Sequence, residues 1–161
     1  MTTAHINPEM TTSSNDASFE ASTTQILASL AERVTSNNGQ LVFRCELGKL
    51  ISVLKLLKAN ESLGFSQLSD LTAVDYPGRF HRFELVYQLL SVTNNRRIRI
   101  ICAIDEGQIV PSATGIYKSA EWPEREVWDM YGLFFSDHPD LRRLLTDYGF
   151  EGHPLRKDFP L

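Results

Sequence analysis

Cysteine is scarce in this chain. There are 2 in 161 residues, too few for a four-thiolate zinc or iron–sulfur site. Long apolar runs are missing too. The longest spans only a few residues, whereas a membrane-crossing helix needs roughly 20. Positive charge is in short supply: 16 Lys and Arg face 20 Asp and Glu, a formal net charge of -4. A mildly acidic chain is poorly suited to general nucleic-acid binding. No P-loop, no GxGxxG after a strand, no GxSxG elbow and no CxxC occurs, which removes the usual signatures of phosphate, dinucleotide, serine-hydrolase and thiol-redox chemistry. Residues 1–24 contain no Lys or Arg, and no apolar stretch follows Met1. These features speak against an Arg-rich transit peptide and a secretory signal. Their Thr, Ser, Asn and Ala content predicts a disordered or loosely attached tail.

What is present describes one domain, with 42% hydrophobic residues and enough length to bury roughly 68–70% of its unfolded surface. Ile26, Leu27, Leu30, Ala31 and Val34 fall at helical spacing over 22–35. Ser36–Gly39 breaks that pattern. Leu41, Phe43 and Cys45 alternate as a strand, and Leu50, Ile51, Leu54 and Leu57 mark an amphipathic helix ending near Asn60. Strands follow over 65–75, 83–91 and 96–105. The last has Ile98, Ile100, Cys102 and Ile104 on one face and Arg97, Arg99, Ile101 and Ala103 on the other. The tight Asn94-Asn95 connection makes 83–91 and 96–105 an antiparallel hairpin. A shorter extended segment covers 109–117. A third helix begins after Ser119, with Pro123 in its first turn, Glu121, Glu124 and Glu126 near its positive end, and Gly132 as its stop. The expected class is α+β: helices on one face of a mainly antiparallel sheet over 25–137, then an irregular docking segment over 138–161.

The chemistry on offer is sparse. Cys45 and Cys102 read as buried free thiols; a disulfide or metal role requires them to be adjacent in space. His138 and His153 each precede proline and lie near carboxylates, but no ligand pair sits at i, i+4 on a predicted helix. Loop anchoring therefore outweighs a metal-dependent hydrolase site. Arg125 and Asp129 are spaced to pair along one helix face, which weakens a catalytic reading of the nearby carboxylates. In 138–161, charges, aromatics, Gly and Pro alternate too closely for a regular element. Arg142, Arg143, Asp147, Tyr148, Phe150, His153, Arg156, Lys157, Asp158 and Phe159 are the candidate partner-contact residues, since Arg and aromatics are enriched at interfaces. Asp147, Glu151 and Asp158 nearly cancel the basic charge, so a protein partner is favoured over RNA.

The stretch Glu124-Arg125-Glu126-Val127-Trp128-Asp129-Met130-Tyr131-Gly132, followed by Phe135, His138-Pro139, Leu141-Arg142-Arg143, Asp147-Tyr148-Gly149-Phe150 and Gly152-His153-Pro154-Leu155-Arg156-Lys157-Asp158-Phe159-Pro160-Leu161, closely resembles the signature of the thirty-kilodalton subunit family of respiratory complex I, its C subunit. The resemblance is continuous over 121–161 and weaker from about residue 25. It implies a core structural and assembly subunit of the quinone-reducing module, within a complex that couples NADH oxidation and ubiquinone reduction to proton pumping. It implies no cofactor, metal or catalytic side chain in this chain, with FMN and iron–sulfur clusters in other subunits. The implied partners are the larger D subunit first, then other subunits of the hydrophilic arm. The implied location is the matrix side of the mitochondrial inner membrane, or the cytoplasmic face of a bacterial plasma membrane. Related NDH and membrane hydrogenase complexes carry corresponding subunits. Family members usually continue beyond the Phe-Pro-Leu matching Phe159–Leu161, so either a naturally short chain or completion by another polypeptide is expected.

Overall fold

The computed structural model describes residues 14–36 and 39–160. In chain order the elements are α1 (Ser14–Leu27), β1 (Ala31–Val34), β2 (Leu41–Cys45), α2 (Leu47–Ala59), β3 (Gln67–Asp75), β4 (Phe83–Ser91), β5 (Arg96–Ile104), β6 (Val110–Pro111), a 3-10 turn at Lys118–Ala120, α3 (Glu121–Tyr131) and β7 (Phe135–Ser136). Five strands form one sheet in the order β1-β2-β5-β4-β3, and β6 pairs with β7 in a small second sheet. All pairs of the large sheet are antiparallel except β2–β5, because α2 returns the chain to the same end of the sheet before the β3–β4–β5 meander begins. This is the expected α+β class.

The alternation seen in the sequence becomes the sheet's two faces. Ile98, Ile100, Cys102 and Ile104 are fully buried and align with Leu41, Phe43 and Cys45 of β2 and with Leu85, Tyr87 and Leu89 of β4. Leu50, Val53, Leu54 and Leu57 of α2 and Val127 of α3 complete the same core. Each such aliphatic side chain contributes about 1.5–3 kcal/mol by burial. The opposite face carries Arg44, Glu84, Gln88, Arg97 and Arg99. The predicted 83–91/96–105 hairpin forms with Ser91 opposite Arg96, and Asn95 takes the positive φ of 51° that its turn requires.

The N-terminal region departs from expectation. The helix expected over 22–35 instead runs Ser14–Leu27, and Ala31–Val34 pairs antiparallel with β2. Leu30, Ala31 and Val34 fit a helical period, but the open edge of β2 offers their backbone a ladder. Such a tertiary pairing overrides a weak local preference. Of the expected tail, residues 14–24 are helical, and residues 1–13 lie outside the described residues, as do Asn37, Asn38 and Leu161. The extended segment at 109–117 contains only a two-residue strand, held beside β7.

Candidate functional site

The C-terminal end of α3 is the centre of the molecule's polar organisation. Gly132 ends the helix in the left-handed region at φ 74°, and its N–H donates to the Trp128 carbonyl at 2.8 Å. The next three carbonyls have no partner within the helix. All three are taken by the C-terminal segment. His153 Nδ1 donates to the Asp129 carbonyl at 2.9 Å, the Leu155 N–H to that of Met130 at 3.1 Å, and Arg156 Nε to that of Tyr131 at 2.6 Å. The segment that lacks secondary structure of its own thus satisfies its backbone by capping a helix. A Cβ on Gly132 would come within 2.5 Å of His153 Nε2 and 2.7 Å of Arg156 Nη2, so glycine is required both for conformation and for room.

One turn back, the fully buried Asp129 carboxylate gathers the other half of the segment. Its Oδ2 accepts the backbone N–H groups of Leu144, Leu145 and Thr146 at 3.0, 2.8 and 2.9 Å. Its Oδ1 accepts the Thr146 hydroxyl at 2.6 Å and Arg143 Nη1 at 2.8 Å. Burial alone would raise its pKa, but the Thr146 hydroxyl and the run of backbone N–H donors hold it well below the usual carboxylate range. Arg143 also donates to the Gly152 carbonyl, which joins the two halves. The expected Arg125–Asp129 pair does not form. Arg125 instead donates to the carbonyls of Arg142 and Arg143 at 3.2 and 3.3 Å, because three consecutive N–H groups already occupy the carboxylate.

A second anchor lies at the far end of the segment. Arg82 grips the buried Asp75 with two bonds, of 2.9 and 3.0 Å, and reaches Glu106 at 2.9 Å and Asp158 at 2.7 Å. Asp75 also accepts the Lys157 N–H at 2.8 Å, and Glu106 binds Arg156 at 2.7 Å. The Arg82 guanidinium, more than the Lys157 N–H, depresses the Asp75 carboxyl pKa, while burial opposes it. The mutual bonds stabilise the charged form of Arg82 in turn.

The histidines serve as loop anchors. His138 Nδ1 accepts the Asp140 N–H at 3.1 Å, which leaves the ring proton on Nε2 to donate to the Glu121 carbonyl at 2.9 Å. Glu124 Oε2 lies 3.9 Å from that nitrogen, beyond hydrogen-bond reach. Glu124 is not at the helix surface. It is buried, accepts from the Ser112 hydroxyl and the Ala113 N–H at 2.6 Å each, and has a raised pKa because burial outweighs those bonds. Among the described residues no group of three or more His, Cys, Asp or Glu side chains is placed to hold a metal ion.

The candidate partner-contact residues therefore divide. Arg143, His153, Arg156 and Asp158 bind the chain's own domain through their side chains, and Lys157 through its backbone N–H. Phe159 stacks on Phe150 at 5.9 Å between ring centroids and covers Gly152. Outward-facing are Arg142, which reaches only the half-exposed Asp140, and Tyr148, which is fully exposed. Trp122 and Leu145, each 62% exposed, join them on the surface, and Arg125, Arg142, Arg143 and Tyr148 line a cavity of about 470 Å³. Sequence reasoning missed Asp75, Arg82 and Glu106. Asp75 and Lys157 are 82 positions apart, and nothing local marks them as partners.

The result is an α+β module locked by its own C-terminal segment, with exposed aromatic and Arg side chains on that segment's outer side. Its relatives give it a more definite place. The chain belongs to the family described as the respiratory-chain NADH dehydrogenase 30 Kd subunit, whose model matches residues 43–161. It is 57% identical over 123 residues to the C subunit of the NADH-quinone oxidoreductase of Paramagnetospirillum magneticum, a match covering 76% of this chain and 62% of that one. It is 48% identical over 143 residues to the NADH-ubiquinone oxidoreductase subunit 9 of Reclinomonas americana, covering 89% and 70%. The chain thus spans about three-fifths of the bacterial relative's length. Among solved structures, a trypsin-resistant fragment of Nqo5 matches with a TM-score of 0.65 at 26% identity, covering 76% of this chain and 98% of that one. A chain of an archaeal membrane-bound sulfane sulfur reductase matches with a TM-score of 0.75 at 29% identity, covering 88% and 85%.

Proposed function

We propose that this chain is a structural and assembly subunit of the quinone-reducing module of respiratory complex I. In that role it supports electron transfer from NADH to ubiquinone coupled to proton translocation, and supplies no catalytic side chain. FMN and iron–sulfur clusters belong to other subunits. The larger D subunit is the principal partner, with the rest of the hydrophilic arm around it. The observation that carries this reading is how the family signature is used: Asp129, Arg143, Arg156 and Asp158, with the Lys157 N–H, fasten 138–160 to α3, Arg82 and Asp75. A rigid outer surface bearing Arg142, Tyr148, Leu145 and Trp122 is left for a neighbour. No helix among the described residues is long and apolar enough to cross a membrane. The location that goes with this reading is peripheral, on the matrix side of the inner membrane or its bacterial equivalent.

The test is replacement of the native gene by a version lacking 138–161. Loss of the hydrophilic arm from the assembled complex, with loss of NADH:ubiquinone activity, is expected. Normal assembly with normal turnover overturns the proposal. A second reading, membership of a related membrane-bound complex, is favoured by the likeness to the sulfane sulfur reductase chain. Purification of the native assembly and identification of its electron donor separates the two.

A further inference from the structure

Cys45 ends β2 and Cys102 lies within β5, and they are register partners in the sheet's parallel pair. Register partners on neighbouring strands point to the same face, and such strands lie about 4.7–4.9 Å apart. That spacing falls inside the Cα–Cα window of about 4.4–6.8 Å that a disulfide can span. Both thiols are free, and the Cys102 thiol donates weakly to the Ala103 carbonyl at 3.9 Å. Their surroundings differ. Cys102 is fully buried in the core, whereas Cys45 retains 5% exposure and forms part of the wall of an open cavity of about 730 Å³, beside Glu46, Lys49 and Ala103. Cys45 is thus the less deeply buried of the two and the one beside the cavity.

We propose that Cys45 and Cys102 form a peroxide-responsive dithiol, in which Cys45 is the reacting sulfur and Cys102 the resolving one. The Cys45 thiolate attacks one oxygen of hydrogen peroxide, the O–O bond breaks, and hydroxide leaves a sulfenic acid on Cys45. The Cys102 sulfur then attacks the Cys45 sulfur. The S–S bond forms, and the sulfenic hydroxyl departs with the Cys102 proton as water. In total two thiols are oxidised and one peroxide is reduced to two waters. The assignment of roles follows the environment. The neighbouring Cys102 thiol lowers the pKa of Cys45, against burial and Glu46, with Lys49 assisting. The neighbouring Cys45, together with burial, raises that of Cys102. Peroxide is small enough for a thiol of such slight exposure, where a bulky disulfide reagent is not. The bridge would fasten the β1–β2 ribbon to the β4–β5 hairpin. Reducing thiols of a cytosol-like compartment would keep the resting pair open.

The purified, reduced chain is exposed to hydrogen peroxide at neutral pH, with and without a dimedone-type sulfenic-acid trap, then digested without reductant and mapped by mass spectrometry. The expected product is one linked peptide pair containing Cys45 and Cys102, with no free thiol left and full recovery on adding dithiothreitol. With the trap present, the adduct is expected on Cys45. An adduct on Cys102, a sulfinic Cys45 beside a free Cys102, disulfides between two copies of the chain, or two unmodified thiols each overturn the proposal. Every readout uses the unmutated protein, so the stability of a core variant does not enter.

Discussion

Thr146 meets Asp129 twice: its backbone N–H donates to Oδ2 at 2.9 Å and its hydroxyl to Oδ1 at 2.6 Å. One helical carboxylate therefore sets the path of a loop 17 positions further along the chain. Replacing Asp129 with Ala leaves a row of N–H groups and the Arg143 guanidinium without their acceptor. Breaking a buried charged contact of this kind costs about 3–5 kcal/mol. Denaturant unfolding should record that loss, and limited proteolysis should cut 141–153 faster than in the parent chain.

Acid should unlock the same segment. Asp129 and Asp75 both have folded pKa values below the ordinary carboxylate value of about 4. Their contribution is fully present above that ordinary value and is lost as pH falls through the folded ones. Glu124 has the opposite sign: its folded pKa is raised, so its contribution declines as pH rises from the ordinary value to the folded one. Unfolding midpoints measured from pH 7 down to pH 2 should fall steeply below about pH 4, and Asp129→Asn should flatten that limb. An unchanged slope in the variant would remove Asp129 from the account.

Gly132→Ala combines two penalties. The left-handed backbone costs a non-glycine residue about 1–2 kcal/mol, and overpacking against His153 and Arg156 adds about 1–3 kcal/mol. Truncating His153 to Ala relieves part of the second penalty but none of the first. The double variant should therefore be less destabilised than the sum of the singles, as thermal unfolding of all four forms would reveal.

Arg142 and Arg143 are adjacent in sequence but should behave differently. The Arg142 side chain is 71% exposed and that of Arg143 28%. Arg142→Ala should change the stability of the isolated chain by no more than about 0.5 kcal/mol, while Arg143→Ala should cost about 1.5–3 kcal/mol through its bond to the Asp129 carboxylate. Any loss of complex assembly in the Arg142 variant would then reflect a partner contact rather than misfolding. Equal loss of folding stability in both variants would contradict the structure.

Tyr87 offers a change in the favourable direction. Its hydroxyl is buried without a hydrogen-bond partner among the described residues, and burial raises its pKa well above the ordinary value. Tyr87→Phe removes an unsatisfied group and keeps the ring, so a gain of about 1 kcal/mol in unfolding free energy is expected.

The sequence by itself determined the elements whose periodicity is strong. Strand β5, with four isoleucine or cysteine positions all turned inward, and α3, with Pro123 in its first turn and Gly132 at its end, are legible because each pattern is set by neighbours within a few residues. The C-terminal signature was equally legible as a motif, and its family followed from it. Only the tertiary structure decided what the signature does. A carboxylate pairs with whichever donors the fold delivers, so Asp129 takes Arg143 and the 144–146 backbone rather than Arg125 on its own helix. Asp75 takes Arg82, 7 positions on, and the Lys157 N–H, 82 positions away. The edge strand at 31–34 shows the same limit: its residues suit a helix, and only the open side of β2 makes them a strand. The cysteines complete the picture. Their scarcity, at first an exclusion, leaves two thiols that the parallel pairing of β2 and β5 sets side by side, a juxtaposition that no spacing of 57 residues could announce.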